Sequence, residues 1–423
     1  MSAIEYVYFC LKKSMTAETL FWIIIGIITV EFIVDQTLDY LNNKKLNDPI
    51  PDALADIYDQ GTYEKQQSYN KEKSKFSDVT SIFSFIVLLA FLFLDGFAFV
   101  DDLARSFSDH PISISLMFFG LIFIANDIIS IPFEYYATFV IEEKYGFNKM
   151  TRKTFVTDKL KGYLLTIIIG GGILALLMLF YQEVKDDFWW YAWILISVFS
   201  ILMNMFYARL IVPLFNKQTP LEDGELKDKI RNFADKTGFQ LQNVFVIDGS
   251  KRSTKANAYF SGFGREKRIT LYDTLINDLN NDEIVAVLAH EIGHYKKKHI
   301  IVNLIISILV TGFTLWLLSL FIGNPLLANA LGVEQPSFHI GLVAFGILYS
   351  PISTITGLLM NILSRKFEYQ ADRFAQSTHN AQDLINALKK LTRKSFSNLT
   401  PHPAYVFMNY SHPSLYQRVK AME

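Results

Sequence analysis

The segment His290-Glu291-Ile292-Gly293-His294 sets two imidazoles four residues apart with a carboxylate between them. On a helix, residues i and i+4 share a face, so both rings can reach one Zn²⁺ ion while Glu291 lies beside the ion's open position. That arrangement serves hydrolysis, because a zinc-bound water becomes a nucleophile near neutral pH when a base takes its proton. Glu291 is the candidate base. The chain has only eight histidines in 423 residues, so chance is a poor account of two of them at this spacing around a glutamate. The plain alternative is a pair of structural histidines on a surface helix. A single cysteine, Cys10, excludes a thiolate cluster or a disulfide within the chain, which leaves His, Asp and Glu as ligands.

A hydrolytic zinc site takes three protein ligands. Past the last apolar run, Arg365-Lys-Phe-Glu368-Tyr-Gln-Ala-Asp372 continues as a helix with Glu368 and Asp372 on one face. Glu368 is read as the third ligand, and Asp372 as the acceptor that holds the second nitrogen of a ligating histidine. An exposed carboxylate pair at a charged helix end is the other reading. His299, nine residues past His290 in a lysine-rich stretch, is read as marking the end of the motif helix.

The elements that must position these groups are legible around them. The motif helix starts at Asn280 or Asn281, with Asp282 and Glu283 suited to its N-terminal end and Ile284, Val287 and Leu288 forming a buried face. It closes the longest polar segment, residues 209–300, which reads as a small folded unit. Leu221, Leu226, Ile230 and Phe233 predict a helix over 221–237, and Asn243 to Ile247 a short strand. Two further strands, Lys255 to Gly262 and Arg268 to Tyr272, flank a turn at Gly262 and Gly264.

The rest of the chain is written for a bilayer. Apolar residues make up 51% and charged residues 19%, below the usual quarter or so of a soluble protein. The net charge of −1 implies no polyanionic partner, and nucleic acid binding is not expected. Seven apolar runs are long enough to span, near 20–38, 79–100, 111–133, 163–181, 188–208, 301–322 and 340–363. The first is too long and too acidic for a signal-peptide core, so no cleavage is expected. Lys and Arg concentrate in alternate connections: six in 39–78 and six in 134–162, but one each in 101–110 and 182–187 and none in 323–339. By the positive-inside rule, residues 209–300 and the C-terminus face the cytoplasm and the N-terminus the outside. His110 and His339 then fall on the outer side. Glu31, Asp35 and Asp127 lie within spans, where a carboxylate costs at least ~2.5 kcal/mol unless it faces protein or water. They predict a polar interior, whereas Asp95 is read as the end of a span.

The motif, the helix carrying Glu368 and Asp372, and Ser411-His-Pro-Ser-Leu-Tyr-Gln-Arg418 together resemble the M48 family of integral-membrane zinc metalloproteases. The segments from Ile57 to Phe76 and from Ile131 to Met150 narrow the resemblance to the Ste24 type, the type I CAAX prenyl proteases. Shorter HtpX-type members lack these segments. The resemblance implies zinc held by His290, His294 and Glu368, and Glu291 as general base. It adds Asn257, Ala258 and Tyr259 as a strand that pairs with substrate, His412 as an oxyanion stabiliser and Arg418 as a residue holding the site together. It further implies a water-filled chamber within a ring of seven helices, and removal of three residues from a farnesylated Cys-a-a-X terminus. Ser411 replaces the more usual threonine.

The expectation is thus a mainly α, polytopic membrane protein: seven transmembrane helices around a polar chamber and a small α+β zinc-protease domain on the cytoplasmic side. Residues 1–208 would hold helices one to five, 209–300 the zinc-protease insert, 301–363 helices six and seven, and 364–423 the part with the third ligand. Its partners would be one zinc ion, a peptide or protein substrate, prenylated or not, and the lipid bilayer. The chain stops at Glu423 without the extension common in eukaryotic members, and its Lys-, Asn- and Ile-rich composition suits a bacterial inner membrane, with the endoplasmic reticulum expected for a eukaryotic source. HtpX-like quality control of misfolded membrane proteins is the competing function.

Overall fold

The computed structural model describes residues 15–239, 244–262 and 267–423; Cys10, Asn243 and Gly264 lie outside the described residues. The chain opens with helices α1 (Ala17–Asn47) and α2 (Gln60–Phe93), turns through the short amphipathic α3 (Gly96–Phe107), and continues with α4 (Pro111–Glu142), α5 (Arg152–Val184) and α6 (Phe188–Phe215). A soluble unit follows: β1 (Gln218–Pro220), α7 (Glu225–Lys236), β2 (Val244–Ile247), β3 (Ala258–Ser261), β4 (Arg268–Tyr272), α8 (Asp273–Asp278) and α9 (Asn281–Lys296). Then α10 (His299–Phe321), α11 (Pro325–Ala330) and α12 (Phe338–Thr378) make a second helical pair with a short turn helix, before α13 (Ala381–Ser395), α14 (Pro403–Asn409) and α15 (Leu415–Met422). Seven of these, α1, α2, α4, α5, α6, α10 and α12, are long and apolar enough to cross a membrane, matching the seven apolar runs.

The second run differs from its sequence reading. Its helix ends at Phe93, and Asp95 adopts a left-handed backbone at φ 53° that starts α3. Gly96 is required there, because a Cβ would lie 2.4 Å from the Phe91 ring. At the other end, α2 begins at Gln60, well before the apolar stretch, and α12 runs for 41 residues. At 1.5 Å per residue α12 is about 60 Å long, twice the ~30 Å hydrocarbon thickness, so its last turns stand outside the bilayer. One continuous helix, with Pro351 inside it, therefore ties the membrane part to the soluble unit.

Only 6–17% of residues in the apolar windows of the spans are buried inside the protein, so most of their apolar surface faces outward from it. Polar contacts link neighbours between them. The Gln36 amide donates to Ser81 Oγ at 3.1 Å, joining α1 to α2. Asp127 on α4 meets α5, where Lys159 Nζ lies 2.8 Å away and the Tyr163 hydroxyl also donates to it. Lys159 in turn reaches Glu134 at 2.7 Å, so that acidic position is neutralised by protein.

The soluble unit is built on a four-stranded sheet of order β1-β2-β4-β3. β2 and β4 pair in parallel, and the outer pairs are antiparallel. β3 therefore presents a free edge. Helix α7 starts at Glu225 rather than near 221, because Leu221 N donates to Val244 O and belongs to the edge of the sheet. Buried Ile269 and Leu271 from the sheet pack with Ile284, Leu288 and Ile292 of α9 and with Ala375 and Leu384 beyond. Asn280 and Glu283 form a reciprocal cap that fixes the start of α9. Glu283 is itself buried and pairs with Lys390 at 2.7 Å.

Candidate active site

Helix α9 turns His290 and His294 to one face, and α12 brings Glu368 against them. The two Nε2 atoms are 3.1 Å apart. Glu368 lies 3.4 Å from His290 Nε2 and 3.2 Å from His294 Nε2. One ligand atom from each residue falls within 4.8 Å of the others. The helices approach this closely because Gly293 faces α12: a Cβ there would sit 3.1 Å from Ala371 Cα.

Asp372, one turn past Glu368, accepts from His290 Nδ1 at 2.8 Å and so leaves Nε2 facing the cluster. Arg418 on α15 grips the same carboxylate through two bonds of 2.9 and 2.6 Å and comes within 3.5 Å of Glu368. Burial works against a charge on His290, but hydrogen bonds to Asp372 and Glu368 outweigh it and push its pKa up to about 9. Two imidazole nitrogens and one carboxylate are the donor set of a hydrolytic zinc site. Glu368 Oε2 is buried with only long contacts, 3.4 Å to His290 and 3.5 Å to Arg418, an acceptor that a cation would satisfy.

His299 escaped the sequence reading as a site residue. Lys298 adopts φ 59°, breaks α9 from α10, and lets His299 start the new helix with its ring turned back toward His294. It is 2% exposed and stacks on Phe367 at 4.0 Å. Its Nδ1 lies 3.0 Å from His294 Nδ1, and its Nε2 lies 2.9 Å from Gln370 Oε1. No period marks it, because the helix is interrupted between the two histidines.

Glu291 is half-buried and lines, with His290, His294 and Glu368, a cavity of about 390 Å³. His412 enters from the C-terminal segment with Nε2 3.3 Å from Glu368 Oε1 and Nδ1 2.9 Å from Ser411 Oγ. Asn257, just before β3, and Ala258 and Tyr259 on it form the facing wall. Asn257 Oδ1 accepts from Ala258 N at 2.8 Å, and the Tyr259 ring packs beside Ala208 and Val212 at the end of α6. His339 is 29 residues before Glu368 on α12, about 44 Å away, and does not join the cluster.

Residues 39–217 match the family model described as CAAX prenyl protease N-terminal, five membrane helices, and residues 220–423 match peptidase family M48. The chain is 38% identical over 325 residues to CAAX prenyl protease 1 of Saccharomyces cerevisiae, covering 73% of this chain and 72% of that protein. It is 33% identical over 354 residues to the human CAAX prenyl protease 1 homolog, covering 74% of each. The crystal structure of S. mikatae Ste24p superposes with a TM-score of 0.91 at 36% identity, covering 96% of this chain and 99% of that one.

Proposed function

The chain belongs to the M48 family of membrane metallopeptidases, of the CAAX prenyl protease 1 (Ste24) type, and from that membership we propose that His290, His294 and Glu368 hold one zinc ion and that Glu291 is the general base beside it. The convergence of the three side chains from α9 and α12 next to the free edge of β3 is the observation that carries this reading. A zinc ion held there supplies a Lewis acid for the scissile carbonyl and lowers the pKa of water.

The remaining chemistry falls to the chain's own groups. A substrate adds as a strand beside Asn257, Ala258 and Tyr259, which fixes its carbonyl against α9. Glu291 takes the proton of the attacking water and delivers it to the leaving amine as the C–N bond breaks. His412 donates toward the oxygen that gains charge as the carbonyl becomes tetrahedral. Asp372 keeps a hydrogen on His290 Nδ1, and Arg418 holds Asp372 in place.

The substrate class is the C-terminus of a peptide or protein, prenylated on a cysteine three residues from the end, as the names of the relatives suggest. The active site faces the cytoplasm, a reading supported by the Lys- and Arg-rich connections on that side. A farnesylated peptide and its unmodified twin, incubated with purified protein, test both. Cleavage three residues from the farnesylated end, lost with a chelator and in Glu291→Gln, is expected. Equal cleavage of the two peptides would remove the lipid preference, and activity that survives in Glu291→Gln would remove the mechanism.

A further inference from the structure

We propose that Lys73 and Lys255 form a receptor for the C-terminal carboxylate of the peptide substrate. The inference rests on the peptidase reading above and extends it from the bond that is cut to the end that is recognised.

The free edge of β3 sets the direction. A peptide adding to that edge pairs most stably antiparallel, so its C-terminal part lies beside the residues that precede β3. Those residues keep the line of the strand: Tyr272 N donates to Asn257 O, and the Thr274 hydroxyl donates to Lys255 O at 3.2 Å. With a rise of ~3.3 Å per residue, Lys255 stands about 10 Å before Ala258. A substrate with three residues beyond a scissile bond at Ala258 carries its α-carboxylate over the same distance.

Ala256 lines the catalytic cavity, and the residue before it, Lys255, lines a second cavity of about 440 Å³ together with Lys73, Asn43 and Ser74. Lys255 Nζ is held by the Tyr69 hydroxyl at 3.0 Å and Glu142 at 2.8 Å, above the Phe147 ring at 4.6 Å. Lys73 is solvent-accessible and lies over the Tyr69 ring at 5.6 Å, with no carboxylate within ion-pair distance among the described residues. Glu142 thus serves Lys255 and already accepts from Tyr69 at 2.6 Å, which leaves the Lys73 ammonium without a counter-ion of its own among the described residues. Asp39 lines the same cavity and makes no ion pair with either lysine. An incoming carboxylate relieves the excess positive charge and gains charge-assisted hydrogen bonds.

Binding is measured in the Glu291→Gln background by fluorescence anisotropy, with a labelled peptide ending in Cys and three apolar residues, as the free acid and as the carboxamide. The acid binds at least about tenfold tighter. Lys73→Met narrows the gap to under about threefold and leaves the affinity for the amide unchanged; Lys255→Met does the same, and Lys73→Met carries the test where Lys255→Met fails to fold. Equal affinities with both lysines present, or a gap that persists in Lys73→Met, overturn the receptor. Cleavage by protein with Glu291 intact is scored separately. A carboxylate preference without any cleavage overturns the peptidase reading and leaves the receptor, whereas cleavage with no preference does the reverse.

Discussion

His299 Nδ1 stands 3.0 Å from His294 Nδ1, across a break between two helices. Gln370 Oε1 accepts from His299 Nε2, which leaves His299 Nδ1 as an acceptor and obliges His294 to carry its proton on Nδ1. The free lone pair of His294 then faces Glu368 and His290. Asp372 does the same for His290 from the other side, so each histidine of the motif has its own orienting partner.

Replacing His299 with Phe keeps the stack on Phe367 but removes the acceptor. Zinc affinity should fall about 10–100-fold, the usual consequence of losing a partner that orients a ligand. Competition with a chromophoric chelator measures it. An unchanged affinity would reduce His299 to packing.

Gly293 lies in the motif as an apparent spacer, yet it sets the distance between α9 and α12. A methyl group there meets Ala371 backbone atoms at 3.1 and 3.2 Å. Gly293→Val should cost about 1–3 kcal/mol by overpacking and weaken zinc binding, because the helix that carries Glu368 is the one displaced. Thermal unfolding and metal titration read the two effects. Wild-type zinc affinity in this variant would mean that the separation of the helices does not govern the site.

Which elements are legible in the sequence follows from what each local signal encodes. Seven apolar runs are visible because a bilayer demands them, and the motif helix because a 3.6-residue period brings His290 and His294 together. The polar extensions of α2 and α12 are not, since helical turns that leave the membrane carry no apolar run. β1 has three residues, one of them Pro220, and is held only by pairing with β2. His299 and Gly293 act through tertiary neighbours on α12, which no local period reports.

Asp372 and Arg418 form a buried pair, with side-chain exposures of 2% and 11%. Asp372→Ala leaves the guanidinium without its main partner and should destabilise the protein by about 3–5 kcal/mol. Adding Arg418→Met removes the stranded charge and should restore part of that stability, but not zinc affinity, because His290 still lacks its acceptor. Recovery of zinc binding in the double variant would show that Asp372 acts through Arg418 alone.

A second buried network lies at the other end of α12. His339 Nε2 is 2.7 Å from Asp101 Oδ1, its Nδ1 is 2.7 Å from Ser115 Oγ, and Arg105 Nε bonds Asp101 Oδ2 at 2.8 Å. Burial opposes the charge on Asp101, yet hydrogen bonds from His339 and Arg105 hold its carboxyl below the usual range. A carboxyl depressed in the folded state stabilises the fold fully above its unfolded pKa of about 3.9 and loses that contribution as pH falls through the folded value. Asp101→Asn should therefore lower the unfolding temperature at pH 7, with the difference from wild type shrinking as the solution is acidified below pH ~4. Zinc occupancy should stay unchanged, because Glu368 is about 44 Å away along the helix. A deficit of the same size at both pH values would mean that the aspartate contributes through shape and not through its charge.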